Sequence, residues 1–116
     1  MSFVIFAWLF ASLSVFVVVT TVLAAQGTIG PNRFVGIGSA VVRRDEATWR
    51  RAHRAAARVV VPGFGVGAIV DVLVAQETFG DWSRTAANVS ILVFHLLLWG
   101  SVVVAEHAAR SGALSA

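Results

Sequence analysis

The sequence contains no cysteine and no lysine, and only 13% of its 116 residues are charged. The absence of thiols excludes disulfide bonds, thiolate metal sites and cysteine nucleophiles. All nine basic residues are arginine, and the formal net charge is +3. An apolar content of 58% is more than a soluble domain of this length buries, so the composition predicts an integral membrane protein.

The positive charge is concentrated in one region, because six of the nine arginines lie between Arg43 and Arg58. A regional cluster beside apolar segments favours an anionic membrane surface as its partner. Nucleic-acid binding would need a soluble platform with stacking aromatic residues, which this sequence does not offer. We therefore expect lipid headgroups of the inner leaflet, and no nucleic acid, among the partners.

Three apolar stretches are long enough to cross a ~30 Å hydrocarbon layer as helices, at about residues 3–25, 59–76 and 89–105. Gln26-Gly27 is expected to end the first, because glycine tolerates the left-handed conformation that closes a helix. A cleaved signal peptide is the alternative for this stretch, but no basic residue precedes it. The pattern predicts an all-α membrane protein with three transmembrane helices, forming a single domain over 1–116.

Residues 45–58 predict an additional amphipathic helix between the first and second spans, with Asp45 as its N-cap and Glu46 in its first turn. At about 100° per residue, one face carries Arg50, Arg51, Arg54 and Arg58, and the other carries Trp49, Ala52, His53 and Ala56. Such a helix can lie flat in the membrane interface, with its arginines toward headgroups or a cytoplasmic partner. A solvated connector is the alternative. Pro62 is expected to bend the chain into the second span.

The distribution of arginine also predicts the orientation. The connection between the first two spans holds seven arginines, whereas the next connection holds only Arg84. Because connections rich in arginine stay in the cytoplasm, the first connection is expected to be cytoplasmic. The protein would then lie in a bacterial plasma membrane with its N-terminus outside and its C-terminus inside.

A spaced motif begins in the first connection and continues into the predicted amphipathic helix. It consists of Asn32, Gly36, Ile37, Asp45, Glu46, Trp49, His53 and Arg54. In this motif the sequence resembles the SdpI family of small bacterial integral-membrane proteins, in the region that corresponds to the C-terminal part of the SdpI-type immunity protein. Gly38 stands where that family usually has arginine. If that arginine contacts phosphate or a partner, Arg33 or Arg43 could make the contact here.

The resemblance implies a non-enzymatic protein that binds a peptide or protein partner. The best-known members protect the producing cell from a secreted peptide toxin and can hold a transcriptional repressor at the membrane. If this applies here, the outer turn with Asp81, Trp82 and Arg84 would meet the peptide. Arg50, Arg51, Arg54 and Arg58 would meet lipid or a cytoplasmic protein.

Asp71 and His95 are the two ionisable residues deep inside predicted spans. Ionisable groups at such positions are costly unless they are paired, hydrated or neutral. A hairpin that turns near Ser83 would place both at a similar depth, so we predict an intramembrane pair between Asp71 and His95. The pair could serve packing alone, or it could respond to protons or bind a ligand.

No arrangement of residues indicates catalysis, a cofactor or a metal site. The sequence shows no serine–histidine–aspartate order, no paired carboxylates and no thiol. An accessory subunit of a larger membrane complex is the main alternative to an SdpI-like role. Transport through an oligomer is a third hypothesis, and it rests only on Asp71 and His95.

Overall fold

A computed structural model describes the backbone of residues 3–115 and the side chains of residues 3–112. Within this part, every regular element is helical: α1 (Phe3–Gln26), α2 (Glu46–Ala75), a one-turn 3-10 helix (Gly80–Trp82) and α3 (Ser83–Ser115). By length and composition, three helical stretches can cross a membrane. The predicted all-α fold with three membrane-spanning helices is confirmed.

α1 ends at Gln26 because Gly27 adopts a left-handed conformation with a φ of 82°. The Gly27 N–H donates to the Ala24 carbonyl at 3.1 Å, and the Thr28 N–H donates to the Leu23 carbonyl at 2.9 Å. These bonds satisfy carbonyl groups that the end of the helix would otherwise leave open. The predicted end of the first span is confirmed.

Asp45 is the N-cap of α2, as predicted. Its backbone is extended, with φ −155° and ψ 169°, and its carboxylate accepts a hydrogen bond from the Thr48 backbone N–H at 2.7 Å. This bond lowers the pKa of Asp45, because it stabilises the charged carboxylate. The cap therefore fixes where α2 starts.

Replacing Asp45 with alanine is expected to lower the midpoint of thermal unfolding by a few degrees, because the first turn of α2 loses its acceptor. Circular dichroism of the full chain in detergent measures this midpoint. Asp45→Asn is the control, since its amide oxygen can accept the same bond. Equal midpoints for the alanine and asparagine variants would contradict the role of the cap.

The structure contradicts the prediction of a separate amphipathic helix over residues 45–58. α2 runs for 30 residues without interruption and contains Pro62 in its interior, so the arginine-rich segment and the second span are one helix. A proline removes one hydrogen bond from a helix. Ending the helix there would leave several backbone groups without partners, which is expensive near lipid. Continuing through Pro62 is therefore less costly than an elbow.

The connection between α2 and α3 is shorter than the sequence suggests. The spans predicted at about 59–76 and 89–105 leave residues 77–88 to connect them, but α3 already begins at Ser83. α3 is 33 residues long and continues through the polar residues beyond the predicted end of the third span at about residue 105. Polar composition at the end of a membrane helix shows where it leaves the hydrocarbon, and the helix itself can extend into the interface.

α2 lies at the centre of the fold, since it packs extensively against both α1 and α3, which touch each other far less. The buried face of α2 contains Ala52 and Ala56, both fully buried, and continues with Val60 and Phe64. Small side chains at such positions let helices approach closely. The molecule measures 54 × 22 × 21 Å, so its long axis exceeds the ~30 Å thickness of the hydrocarbon layer.

Candidate functional site

Asn32 shapes the loop that joins α1 to α2. Its side-chain oxygen accepts hydrogen bonds from the N–H groups of Phe34 at 2.8 Å and Val35 at 2.7 Å, and its amide donates to the Gly30 carbonyl at 2.9 Å. Bonds from an asparagine side chain to nearby backbone fix a tight turn. Asn32 of the motif therefore stabilises the conformation of the loop itself.

Two side chains of α2, Trp49 and His53, hold the loop in place. The indole Nε1–H of Trp49 donates to the Ile29 carbonyl at 2.8 Å, and His53 Nε2 accepts from the Ile37 N–H at 2.9 Å. Both side chains are fully buried, and their ring centroids lie 4.2 Å apart. We name this arrangement of Trp49 and His53 with the backbone of Ile29 and Ile37 the loop clamp. The two rings meet because the residues are one helical turn apart on the same face of α2.

Gly36 lets the loop approach the clamp. Its φ is 83°, a conformation that other residues rarely adopt, and a Cβ atom at this position would lie 2.8 Å from His53 Nε2. The same atom would lie 3.3 Å from the Trp49 ring. The Gly36-Ile37 pair is thus explained by packing and hydrogen bonding, since Gly36 provides the space and Ile37 donates the bond.

The clamp requires His53 to be neutral. Because Nε2 accepts from Ile37, the ring proton is on Nδ1, which donates to the Trp49 carbonyl at 2.8 Å. His53 lies in the arginine-rich beginning of α2, before the apolar span that starts near residue 59. Burial lowers the pKa of His53 below its usual value of 6.5, and the bond to Trp49 opposes this only in part. The neutral ring is therefore the stable form at neutral pH.

Of the four arginines predicted to meet headgroups or a partner, two contact other helices of the protein and two do not. Arg50 lies against Gly27 at the C-terminal end of α1, where the helix dipole favours a cation, and it also pairs with Glu46 at 3.8 Å. Arg51 donates to the Ala108 carbonyl of α3 at 3.3 Å. Arg54 and Arg58 are exposed and have no hydrogen bond or ion pair within the described part of the chain. Only the latter two are fully available to a partner.

Arg43 lies beside the position at which the motif departs from the family pattern. Its Nε–H donates to the Gly38 carbonyl at 2.6 Å, whereas Arg33 is exposed and makes no such contact among the described residues. A Cβ atom at Gly38 would lie 2.9 Å from the Asn32 carbonyl oxygen. A larger residue at this position would therefore disturb the loop, and Arg43 is the arginine that occupies its surroundings.

The predicted pair of Asp71 and His95 does not form within the described structure. Asp71 is buried and accepts a short hydrogen bond from the Ser90 hydroxyl. His95 is exposed, and its Nδ1 is bonded to the Ile91 carbonyl of its own helix. The partner of the intramembrane carboxyl group is thus a serine.

The prediction was wrong for two reasons. It placed the hairpin tip near Ser83, and it compared only the depths of the two residues, without the rotation of α3. The chain actually turns over residues 76–82, which places His95 deeper along α3 than Asp71 is along α2. Relative to Ser90, His95 lies about 7.5 Å further along α3 and is rotated by about 140° around it. Both differences direct it away from Asp71.

The turn between α2 and α3 is exposed over all of its residues, 76–82. Trp82 is 72% exposed, and Phe79 is 38% exposed. Asp81 and Arg84 are exposed as well, so the three residues predicted to meet a peptide share one end of the molecule. No group of three or more histidine, aspartate or glutamate side chains within the described residues could hold a metal ion.

A family model for the SdpI/YfhL protein family matches residues 28–105, about two thirds of the chain. The chain belongs to this family. The match begins in the loop before the clamp and continues through α2 into α3. No curated protein and no solved structure matches the chain.

The structure adds contacts in this SdpI/YfhL protein that the sequence did not indicate. Thr48 accepts from Arg44 at 3.0 Å and from Arg51 at 3.4 Å, which joins the start of α2 to the contact with α3. Ser90 does not stand out in the sequence, because a hydroxyl group in an apolar helix usually bonds to its own backbone. A hairpin tip near Ser83 would also place Ser90 about 7.5 Å from the depth of Asp71, so the sequence does not indicate this pair.

Proposed function

We propose that this SdpI/YfhL family protein is a non-catalytic plasma-membrane protein of the immunity or signalling kind that binds a peptide or protein partner. The observation that carries the proposal is the turn over residues 76–82, whose residues are all exposed and which presents Trp82 and Phe79 beside Asp81. Exposed aromatic residues next to charges are typical anchors for a partner. An amphipathic peptide at the membrane surface fits this combination.

The distribution of charge supports an orientation with this turn outside the cell. The opposite end of the bundle carries the arginine-rich loop and the start of α2, where Arg54 and Arg58 are exposed without partners in the described chain. Arginines near a membrane favour the cytoplasmic side, where anionic headgroups can bind them. The N-terminus would then be outside and the C-terminus inside.

The hydrogen bonds of the motif side chains support the proposal that the protein is not an enzyme. The motif residues Asn32, Trp49 and His53 are occupied by bonds to the protein's own backbone. His53 is fully buried, so it cannot reach a substrate. The SdpI/YfhL family is not a known enzyme family.

Photo-crosslinking in living cells tests the proposal. A photoreactive phenylalanine analogue at position 82 is expected to yield a discrete adduct with a peptide or extracellular protein segment, identified by mass spectrometry. The same analogue at Leu96, which is 63% exposed within the third predicted span, is the matched control and should give lipid adducts only.

The outcomes separate the competing functions. A peptide adduct at position 82 alone supports the proposed role. Adducts with one membrane enzyme or transporter at both positions would instead show an accessory subunit. Lipid adducts alone at both positions would contradict partner binding through this turn.

A further inference from the structure

A groove of about 430 Å³ lies between α2 and α3, separate from the loop clamp. Its volume falls within the range of small-molecule sites, roughly 300–1,000 Å³. The walls are almost entirely apolar, with Asp71 and Ser90 among the few polar residues. A groove of this composition suits a ligand with an apolar body and one polar group.

The polar part of the groove contains a carboxyl group that the protein satisfies only in part. Asp71 is 3% exposed and lines the groove. One of its oxygens accepts from the Ser90 hydroxyl, and the other has no hydrogen-bond partner in the described part of the chain. No arginine or histidine is among the residues that line the groove. A buried carboxylate is costly unless it is paired, so a cationic group would complete this site.

An aromatic side chain also lines the groove, at its end beside the turn between α2 and α3. Trp82 lines the groove and is 72% exposed, so its ring remains available. Cations are attracted to the faces of aromatic rings, and tryptophan is the strongest of these partners. The nearby turn also carries the exposed acids Glu77 and Asp81, against the single base Arg84. The charge at this end of the groove therefore favours a cation.

The apolar part of the groove exists because two residues of α2 lack side chains. A Cβ atom at Gly67 would meet no atom within 4 Å, and one at Gly63 would approach Leu97 at 3.0 Å. Gly63 lies eight residues before Asp71 on the same helix, a distance of about 12 Å. The groove thus offers a narrow apolar path that begins at the carboxyl group.

We propose that this groove binds a single-chain alkyl ammonium compound. The ammonium group contacts the free oxygen of Asp71, and the alkyl chain lies along Gly67 toward Gly63 and Leu97. The opposite charge of the ligand stabilises the ionised form of Asp71. This small-molecule site goes beyond the proposed binding of a peptide or protein partner and does not depend on it.

Calorimetric titration of the full chain tests the proposal. The protein is placed in nanodiscs of phosphatidylglycerol, which has no ammonium group, and empty nanodiscs provide the baseline. Octylamine is the probe, and octanol is the matched neutral compound with the same alkyl chain. We expect saturable binding of one octylamine per chain. Octanol should bind at least about tenfold more weakly, because it cannot form the ion pair with Asp71 in the apolar groove.

Three variants locate the binding. Gly67→Leu fills the groove and is expected to abolish binding, whereas Gly65→Leu is the matched control. Gly65 does not line the groove, and a Cβ atom there would also meet no atom within 4 Å. Asp71→Asn keeps an acceptor for Ser90 but removes the charge, and it should weaken octylamine binding at least about tenfold.

Two results would overturn the proposal. One is an octylamine isotherm that is the same for the wild type and Gly67→Leu. The other is equal affinity of the wild type for octylamine and octanol, which would show an apolar site without recognition of the cation. Neither result depends on the folding of the Asp71 variant, because the comparisons use the wild type and a helix-favouring leucine.

Discussion

Trp49→Ala is expected to destabilise the protein by about 3–5 kcal/mol, the usual cost of removing a large aromatic side chain from a core. Trp49 is fully buried, stacks on His53 and belongs to the main core cluster between the helices. The substitution also leaves the Ile29 carbonyl without its donor, so the loop clamp loses one of its two hydrogen bonds to the loop. Denaturant unfolding of the full chain in mixed micelles measures the change in the free energy of unfolding.

Trp99→Ala is the matched control, because Trp99 is 71% exposed on α3 and should contribute little to packing. Trp49→Phe separates ring volume from hydrogen bonding, since it keeps an aromatic ring but removes the N–H group. It should cost about 0.5–1.5 kcal/mol from the lost hydrogen bond, in addition to any loss of packing. If Trp49→Ala and Trp99→Ala had equal effects, the loop clamp would not be the stabilising centre inferred here.

Acidification is expected to release the loop from α2. Burial lowers the pKa of His53, so the folded protein binds a proton less readily than the unfolded chain. The contribution of His53 to stability is therefore complete above the ordinary histidine pKa of 6.5, and it is lost as the pH falls toward the folded value. Protonated Nε2 would become a donor that faces the Ile37 N–H, and the hydrogen bond would break.

Hydrogen exchange at the Ile37 amide measures this release, expressed as a protection factor that is corrected for the intrinsic exchange rate at each pH. We expect protection to fall between about pH 7.5 and about pH 5, because the buried ring binds a proton less readily than the released one, so protonation favours release. His53→Phe should show low protection without this pH dependence. His95→Phe is the control, because His95 is exposed and bonded within α3. Constant protection in the wild type would refute the acid release.

The candidate site could be predicted only in part from the sequence. The spacing of Trp49 and His53 indicated that their rings meet, because residues four positions apart share one face of a helix. Their bonds to Ile29 and Ile37 could not be inferred, because the partners are backbone groups of a loop without a repeating pattern. Likewise, the sequence placed four arginines on one face of a helix. In the structure, Arg50 contacts the end of α1 and Arg51 contacts α3, so of these four only Arg54 and Arg58 are without partners among the described residues.

The sequence by itself determined the features that depend on local interactions. Apolar stretches of sufficient length dictated three membrane helices, Asp45 capped α2, and Gly27 ended α1, because each effect involves only a few neighbouring residues. Tertiary structure decided the rest. Whether α2 continued through Pro62 depended on the cost of open backbone groups near lipid, and whether Asp71 met Ser90 or His95 depended on how α3 is rotated against α2. Rotation and register are set by the packing of whole helices, which no short stretch of sequence encodes.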